Sequence, residues 1–152
     1  MELLVFLPVL LFSVVAHEVA HAQVAKWEGD ETAYRLGRIT LSPFPHLDLM
    51  GSVVVPLLLF FLPGDFLFGW ARPVPINPFT LGRLGTVLVS AAGPLSNIGL
   101  AVVGVLPLRF GLVAPGSAVG VFLSLFTVLN VTLAVFNSLP IPPLDGWRVV
   151  MG

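Results

Sequence analysis

Two histidines and a glutamate lie close together in LFSVVAHEVAHAQVAKW, an otherwise apolar run that extends from Leu11 to Trp27. In a helix, His17 and His21 are one turn apart and lie on the same face, with Glu18 on the neighbouring strip. This is the HExxH arrangement, in which two imidazoles bind Zn²⁺ and the glutamate acts as a base toward water. An ionisable group at the centre of a membrane costs about 2.5–3.5 kcal/mol, so such a cluster indicates a function. The run therefore predicts a zinc site.

A third protein ligand is expected, because a hydrolytic zinc site usually has three. The chain has no cysteine, so the ligand must come from histidine, a carboxylate or a backbone oxygen. Asp145 is the best candidate among the acids outside the first helix, because it follows Pro140, Pro142 and Pro143. Irregular backbone of this kind is tolerated at membrane depth where protein buries it. On these residues alone, however, Asp145–Gly146 is better explained as an ordinary turn pair.

The composition is that of a membrane protein. Hydrophobic residues make up 57% of the 152 residues and charged residues 10%, whereas a typical soluble domain has about 25% charged residues. The mean hydropathy is +1.01. So few charges cannot cover a surface in water, but a lipid bilayer does not require them. The net charge of -1 argues against a nucleic-acid partner. We predict a single domain, residues 1–152, embedded in the bilayer.

The pattern of apolar runs predicts an all-α integral membrane protein with about three full transmembrane helices, at Leu3–Ala25, Leu84–Leu108 and Ala118–Leu139. Between the first two helices, Gly37–Leu41 alternates weakly, which predicts a small β-like loop. Leu49–Arg83 combines a short apolar arm, a Pro-Gly turn and a proline-rich return. That combination predicts a short hairpin that is re-entrant or obliquely inserted and returns to the face it left, rather than a single crossing.

This arrangement distributes the basic residues unequally between the two faces of the membrane. The active-site face would carry six of the seven, and Arg109 alone would lie on the opposite face; the six are Lys26, Arg35, Arg38, Arg72, Arg83 and Arg148. Cytoplasmic loops carry the excess of Lys and Arg in membrane proteins. The charge pattern therefore predicts a multi-pass protein of the cell membrane whose site opens toward the cytoplasm.

Three motifs, taken in order, resemble those of the site-2 protease family of intramembrane zinc metalloproteases, peptidase family M50. They are HEVAH (17–21), AAGPLSN (91–97) and NSLPIPPLDG (137–146). GRITLSPFPHLD and GWARPVPIN are similar to the small prokaryotic branch without an inserted PDZ domain. The resemblance covers almost the whole chain.

The resemblance implies a zinc-dependent endopeptidase with one Zn²⁺ per chain. His17, His21 and Asp145 would be the zinc ligands and Glu18 the catalytic base. Asn137 matches the family residue expected to donate a hydrogen bond to the oxyanion, a role that contributes a few kcal/mol in other enzymes. The implied partner is a membrane protein substrate that is cut in or near a transmembrane segment, in regulated intramembrane proteolysis.

The middle motif adds three residues whose roles are less specific. Asn97 matches a second family asparagine, which is either substrate-orienting or structural, and an interhelical hydrogen bond explains it equally well. Gly93 allows close packing and Pro94 bends the helix, both with or without catalysis.

Four further polar residues are assigned no chemical role. His46 and Asp48 precede the second apolar run, where a polar position at the membrane interface is the better explanation. Asn130 and Thr127 are predicted to link helices.

The sequence is also compatible with two other functions. The chain could be a metal-binding transporter or sensor without hydrolysis, or an inactive scaffold that binds membrane partners. Glu18 distinguishes the first from a protease, because a transporter needs metal ligands but no free base.

Overall fold

The structure is a computed structural model that describes residues 2–55, 58, 61 and 71–151. The helices in this part are α1 (Glu2–Trp27), α2 (Thr32–Arg35), α3 (Pro78–Arg109), α4 (Ala118–Asn137) and α5 (Asp145–Met151). A 3₁₀ turn forms at Phe44–His46 and a π-helical segment at Leu49–Val54. Three of the helices, α1, α3 and α4, are long and apolar enough to cross a membrane. The prediction of an all-α membrane protein with three long helices is confirmed.

The ends of the long helices follow from local sequence. The helix α3 begins at Pro78, whose missing N–H is no loss at that position, and the Asn77 side chain accepts a hydrogen bond from the Phe79 N–H at 3.1 Å. It is interrupted at Gly82, where φ is 62°. Ser117 caps α4, because its Oγ accepts from the Gly120 N–H at 3.0 Å.

The helix α3 lies between α1 and α4 and packs against both. The helices α3 and α4 approach each other tightly at Gly104, where a Cβ atom would lie 2.6 Å from Oγ1 of Thr127. Small residues permit this kind of close approach between spanning helices. The predicted role of Thr127 is consistent with this contact between the two helices.

A segment without regular secondary structure, residues 71–77, leads into α3 and is called the strap here. Its prolines exclude a helix. The Arg72 N–H donates to the His46 carbonyl at 2.8 Å, and Val74 is buried in a small apolar cluster with Ala22 of α1. The strap is thus held against the 3₁₀ turn by a hydrogen bond and against α1 by apolar packing.

Asp30 fastens the far end of the strap. Its carboxylate accepts from the Thr32 N–H and hydroxyl at 3.0 and 2.5 Å and from the Asn77 N–H at 2.6 Å. Burial acts to raise the pKa of Asp30, but these hydrogen bonds outweigh burial, and the pKa lies below its ordinary value. The carboxylate therefore links the end of α1 and the start of α2 to the start of α3.

The β-like loop predicted at Gly37–Leu41 is wrong. The segment consists of a turn and bends, and the described residues contain no strand with which it could pair. Its polar groups bond locally instead: Oγ1 of Thr40 accepts from the Ser42 N–H at 3.1 Å, and the Thr40 carbonyl accepts from Nε2 of His46 at 3.0 Å. Weak alternation over five residues cannot form a strand without a neighbouring edge.

The predicted hairpin at Leu49–Arg83 falls partly outside the described residues. Its first arm begins as the π-helical segment, and its return is the strap, which is not helical, as the prolines predict. The turn predicted at Pro63–Asp65 lies outside the described residues, so the re-entrant course stays a prediction.

Candidate metal centre

Three possible metal ligands converge where α1 meets the start of α5. Nε2 of His17 and Nε2 of His21 are 3.0 Å apart, and Oδ2 of Asp145 is 3.0 Å from the first and 3.1 Å from the second. The two imidazoles are buried, and the Asp145 side chain is 18% exposed. Within the described residues, this is the one group of three or more potential ligands that could hold a metal ion. The histidines come from one helical face, whereas Asp145 is brought from the other end of the chain.

The other nitrogen of each imidazole is already engaged. Nδ1 of His17 donates to Oδ1 of Asn97 at 2.6 Å, and Nδ1 of His21 donates to the Val89 carbonyl at 2.6 Å. A neutral imidazole carries one hydrogen, so these bonds leave the lone pair of each Nε2 free. Metal-binding histidines usually donate their second N–H in this way, which fixes the tautomer and the ring orientation.

The donor set fits a zinc ion. Two nitrogen lone pairs and a carboxylate oxygen repel one another at 3.0–3.1 Å unless a cation lies among them. Tetrahedral zinc with bonds of about 2.0–2.1 Å would hold its ligand atoms about 3.3–3.4 Å apart. The observed triangle differs from that spacing by only a few tenths of an ångström.

Gly93 of α3 leaves the space that an ion would need. A Cβ atom built there would lie 2.5 Å from Nε2 of His17 and would also contact Nε2 of His21. A side chain at this position would therefore occupy the volume beside both ligand nitrogens. This contact explains why position 93 of the AAGPLSN motif is a glycine. The adjacent Pro94 lies in the same buried part of α3.

Asp145 reaches the histidines because the chain folds back after α4. It is the first residue of α5, and Gly146 packs against the carbonyls of Ser138 and Leu139, where a Cβ atom would have no room. The Asp-Gly pair is therefore not a simple turn. The glycine permits the start of α5 to lie against the end of α4, which directs the carboxylate inward.

Glu18 contacts the strap. Its Oε2 accepts a hydrogen bond from the Val74 N–H at 2.9 Å, and the residue is half-buried. Arg38 and Arg72 add positive charge nearby: burial and the charge of Arg72 lower the pKa of the Arg38 guanidinium, while the Glu18 carboxylate acts in the opposite sense. The carboxylate of Glu18 is thus oriented by one backbone N–H.

The two motif asparagines have different surroundings. Asn97 is fully buried, and its side chain is bonded directly to His17. Asn137 is half-buried and its Nδ2 donates to the Leu133 carbonyl of its own helix at 2.9 Å. An amide carries two N–H hydrogens, so this bond uses one of them. The oxyanion role of Asn137 stays a prediction.

Two residues near the site were not predicted to take part in it. Ser13 and Asn130 are fully buried, and both belong to the hydrogen-bond network that reaches His17 through Asn97. One sequence feature could have indicated them: Asn130 and Ser13 lie in the middle of apolar spans, where a polar side chain requires a partner. His46 and Asp48, by contrast, are not part of the group of three ligands.

Comparison with known proteins gives relatives of one kind. The chain is 44% identical over 150 residues to "Putative zinc metalloprotease YwhC" of Bacillus subtilis (strain 168), which covers 93% of this chain and 65% of that protein. It is 35% identical over 140 residues to "Putative zinc metalloprotease Rip2" of Mycolicibacterium smegmatis, covering 90% of this chain and 52% of that protein. The Rip2 protein of Mycobacterium tuberculosis (strain Erdman) is 32% identical over 140 residues, with 92% and 53% covered.

This chain is similar to proteins named as zinc metalloproteases. It spans between about half and two thirds of the length of these relatives. No family model matches the chain. No solved structure matches it either.

Proposed function

We propose that this chain is the core of a zinc-dependent endopeptidase that hydrolyses peptide bonds in or near transmembrane segments of membrane proteins. The observation that carries the proposal is the convergence of His17, His21 and Asp145 between helices long enough to cross a bilayer. The names of the relatives support both the metal and the reaction class.

The proposed ligands are the two imidazole Nε2 atoms and the carboxylate of Asp145. Zinc bound by them would supply Lewis acidity and lower the pKa of water to about 7. Glu18 accepts the proton from water and returns it to the leaving amine, a role that contributes about 10²–10⁴-fold in rate. The Val74 N–H holds one oxygen of Glu18 at 2.9 Å, which orients the other. Asn137 is the proposed donor to the oxyanion.

The depth of the site supports a substrate within the membrane. His21 and His17 lie six and ten residues before Trp27, the end of α1, or about 9 and 15 Å along the helix axis. A peptide bond must therefore enter the helix bundle to be cut. The carbonyls of a transmembrane helix are hydrogen-bonded internally, so the substrate must unwind locally. Membership of the M50 site-2 protease family and a role in regulated intramembrane proteolysis belong to the same proposal.

The proposed location is the cell membrane, with the site open to the cytoplasm. The support is the positive-inside bias of the basic residues around the end of α1 and the start of α3. The chain lacks cysteine, so single cysteines can report the orientation. Arg35→Cys should react with an impermeant reagent from the cytoplasmic side only and Leu112→Cys from the outside only. The reverse pattern would contradict this orientation.

Substituting Glu18→Gln tests the proposal against a transporter, a sensor or a scaffold. We expect cleavage of a panel of single-span membrane proteins in reconstituted vesicles to fall by about 10²–10⁴-fold, while bound zinc stays near one per chain. Glu31→Gln is the matched control, because Glu31 is exposed and its carboxylate pairs with Arg35 on the surface. Cleavage by Glu18→Gln at the wild-type rate would exclude the mechanism, and a wild-type chain that binds zinc but cuts no panel member would favour the other functions.

A further inference from the structure

A buried network of hydrogen bonds links all three long helices and ends at His17, a proposed metal ligand. Nδ1 of His17 donates to Oδ1 of Asn97 at 2.6 Å, and Nδ2 of Asn97 donates to Oδ1 of Asn130 at 2.8 Å. Nδ2 of Asn130 then donates to Oγ of Ser13 at 2.9 Å. Ser13, Asn97 and Asn130 are each 0% exposed. A polar group buried to this extent is costly to leave without a partner.

Two backbone carbonyls fix which group donates and which accepts in every one of these hydrogen bonds, because a carbonyl oxygen can only accept. The Phe126 carbonyl accepts from Nδ2 of Asn130 at 2.9 Å, so Oδ1 of Asn130 must face Asn97. The Ser13 carbonyl accepts from Nδ2 of Asn97 at 3.3 Å, so Oδ1 of Asn97 must face His17. Neither amide can be reversed without placing its Oδ1 against a backbone carbonyl oxygen, an acceptor against an acceptor. The hydrogen of the neutral imidazole of His17 is thereby held on Nδ1.

We propose that Asn130 is a positioning residue for the metal centre. By holding the Asn97 amide in one orientation, it keeps the hydrogen of His17 on Nδ1 and the lone pair of Nε2 toward Asp145. This inference rests on the proposed zinc function. A residue that only tied α4 to α1 would affect stability but would not change which nitrogen of His17 carries the hydrogen.

His21 offers an internal comparison. Its Nδ1 donates to the Val89 carbonyl, which belongs to α3 and has no link to Asn130. Loss of Asn130 should therefore alter the tautomer of His17 and leave that of His21 unchanged. A general loosening of the bundle would alter both.

Three substitutions test the proposal on the metal-free chain in detergent micelles. Asn130→Leu keeps the branched shape of the side chain, with larger atoms, but removes the acceptor for Asn97. Asn130→Asp keeps an acceptor oxygen and, when its carboxyl is protonated, an O–H donor for the Phe126 carbonyl. Thr132→Val is the matched control, because Thr132 is exposed on the same helix and its hydroxyl bonds only to the Val128 carbonyl there. The readouts are the zinc dissociation constant from chelator competition and the ¹⁵N NMR shifts of both imidazoles at alkaline pH.

We expect Asn130→Leu to weaken zinc binding by about tenfold, the lower end of the usual 10–100-fold effect of an outer partner, because the Ser13 carbonyl still holds Asn97. Asn130→Asp and Thr132→Val should bind zinc with near wild-type affinity. In the NMR spectra, a mixture of tautomers should appear only for His17, and only in the Asn130→Leu variant. Equal zinc affinities for Asn130→Leu and Thr132→Val would overturn the proposal, as would equal losses in Asn130→Leu and Asn130→Asp. If Asn130→Leu does not fold, the wild-type spectrum still tests the proposal. A neutral His17 with its hydrogen on Nε2 would contradict the proposed role of Asn130. A wild-type chain that binds no zinc would instead defeat the proposed function, and the tautomer readout would still apply.

Discussion

Replacing Gly93 by alanine should disable the metal centre while adding a single methyl group. The new Cβ atom would lie 2.5 Å from Nε2 of His17, whereas carbon atoms in ordinary contact are about 3.5–4.0 Å apart. The ring or the helix must therefore move by about 1 Å, which is half the length of a zinc–nitrogen bond of about 2.0–2.1 Å. A shift of that size removes His17 from the ligand geometry that the structure shows.

The expected loss of zinc affinity is larger than that from an altered outer partner, which is typically 10–100-fold. We therefore expect Gly93→Ala to weaken zinc binding by at least about 100-fold, and overpacking to lower the free energy of unfolding by about 1–3 kcal/mol. Chelator competition measures the first quantity, and thermal unfolding followed by circular dichroism measures the second. Both are done on the purified chain in micelles.

Gly99→Ala is the matched control for this experiment. Gly99 lies in the same helix, and a Cβ atom there would meet nothing within 4 Å. Alanine favours a helix over glycine by up to about 1 kcal/mol, so the control should be as stable as the wild type or more so. A folded Gly93→Ala chain with wild-type zinc affinity would show that the ion does not lie against Gly93 and would contradict this prediction.

Two further predictions concern the strap. Val74→Pro removes the N–H that donates to Glu18, so cleavage should fall by about 10–100-fold with zinc content unchanged. Val74→Ala keeps the N–H and should retain most activity. Equal cleavage rates for the two variants would contradict the role of the hydrogen bond. Asp30 has a lowered pKa in the folded chain, so its stabilisation is fully present above the unfolded value of about 3.9 and is lost as the pH falls below it. Asp30→Asn leaves the Asn77 N–H without its acceptor and should lower the free energy of unfolding by about 1.5–3 kcal/mol at pH 7. With zinc removed from both chains, that difference should be constant down to about pH 5 and shrink below pH 4; a difference that grows as the pH falls would contradict the assignment.

The sequence predicted the local part of the site better than the long-range part. A spacing of four residues in a helix places His17 and His21 on one face whatever the rest of the chain does. Asp145 is 128 residues from His17, and its position depends on how the chain folds back after α4. That path depends on the fit of Gly146 against the end of α4, which no periodicity reports. The residues alone made Asp145 the best candidate for a third ligand but favoured an ordinary turn there, and it was the resemblance to a family that implied the ligand role.

The segments between the helices were likewise harder to predict from the sequence than the helices themselves. Long apolar spans are determined by the need to satisfy every backbone group in lipid, so their existence was predictable from composition. Gly37–Leu41 has the alternation of a strand but no partner strand in the described part of the chain, and local hydrogen bonds of Thr40 take its place. The buried network through Asn130 depends on the register of α3 against α4. A sequence indicates that such an asparagine needs a partner but does not indicate which one.

In the proposed metal centre, two imidazoles from α1 and one carboxylate from the start of α5 bind a single zinc ion. X-ray absorption at the zinc edge of the purified, zinc-loaded chain tests this ligand set. We predict an inner shell with two imidazole nitrogens and oxygen at about 2.0–2.2 Å, and loss of that shell in the Asp145→Asn variant. A shell of solvent oxygens without imidazole, or an unchanged spectrum in Asp145→Asn, would contradict it.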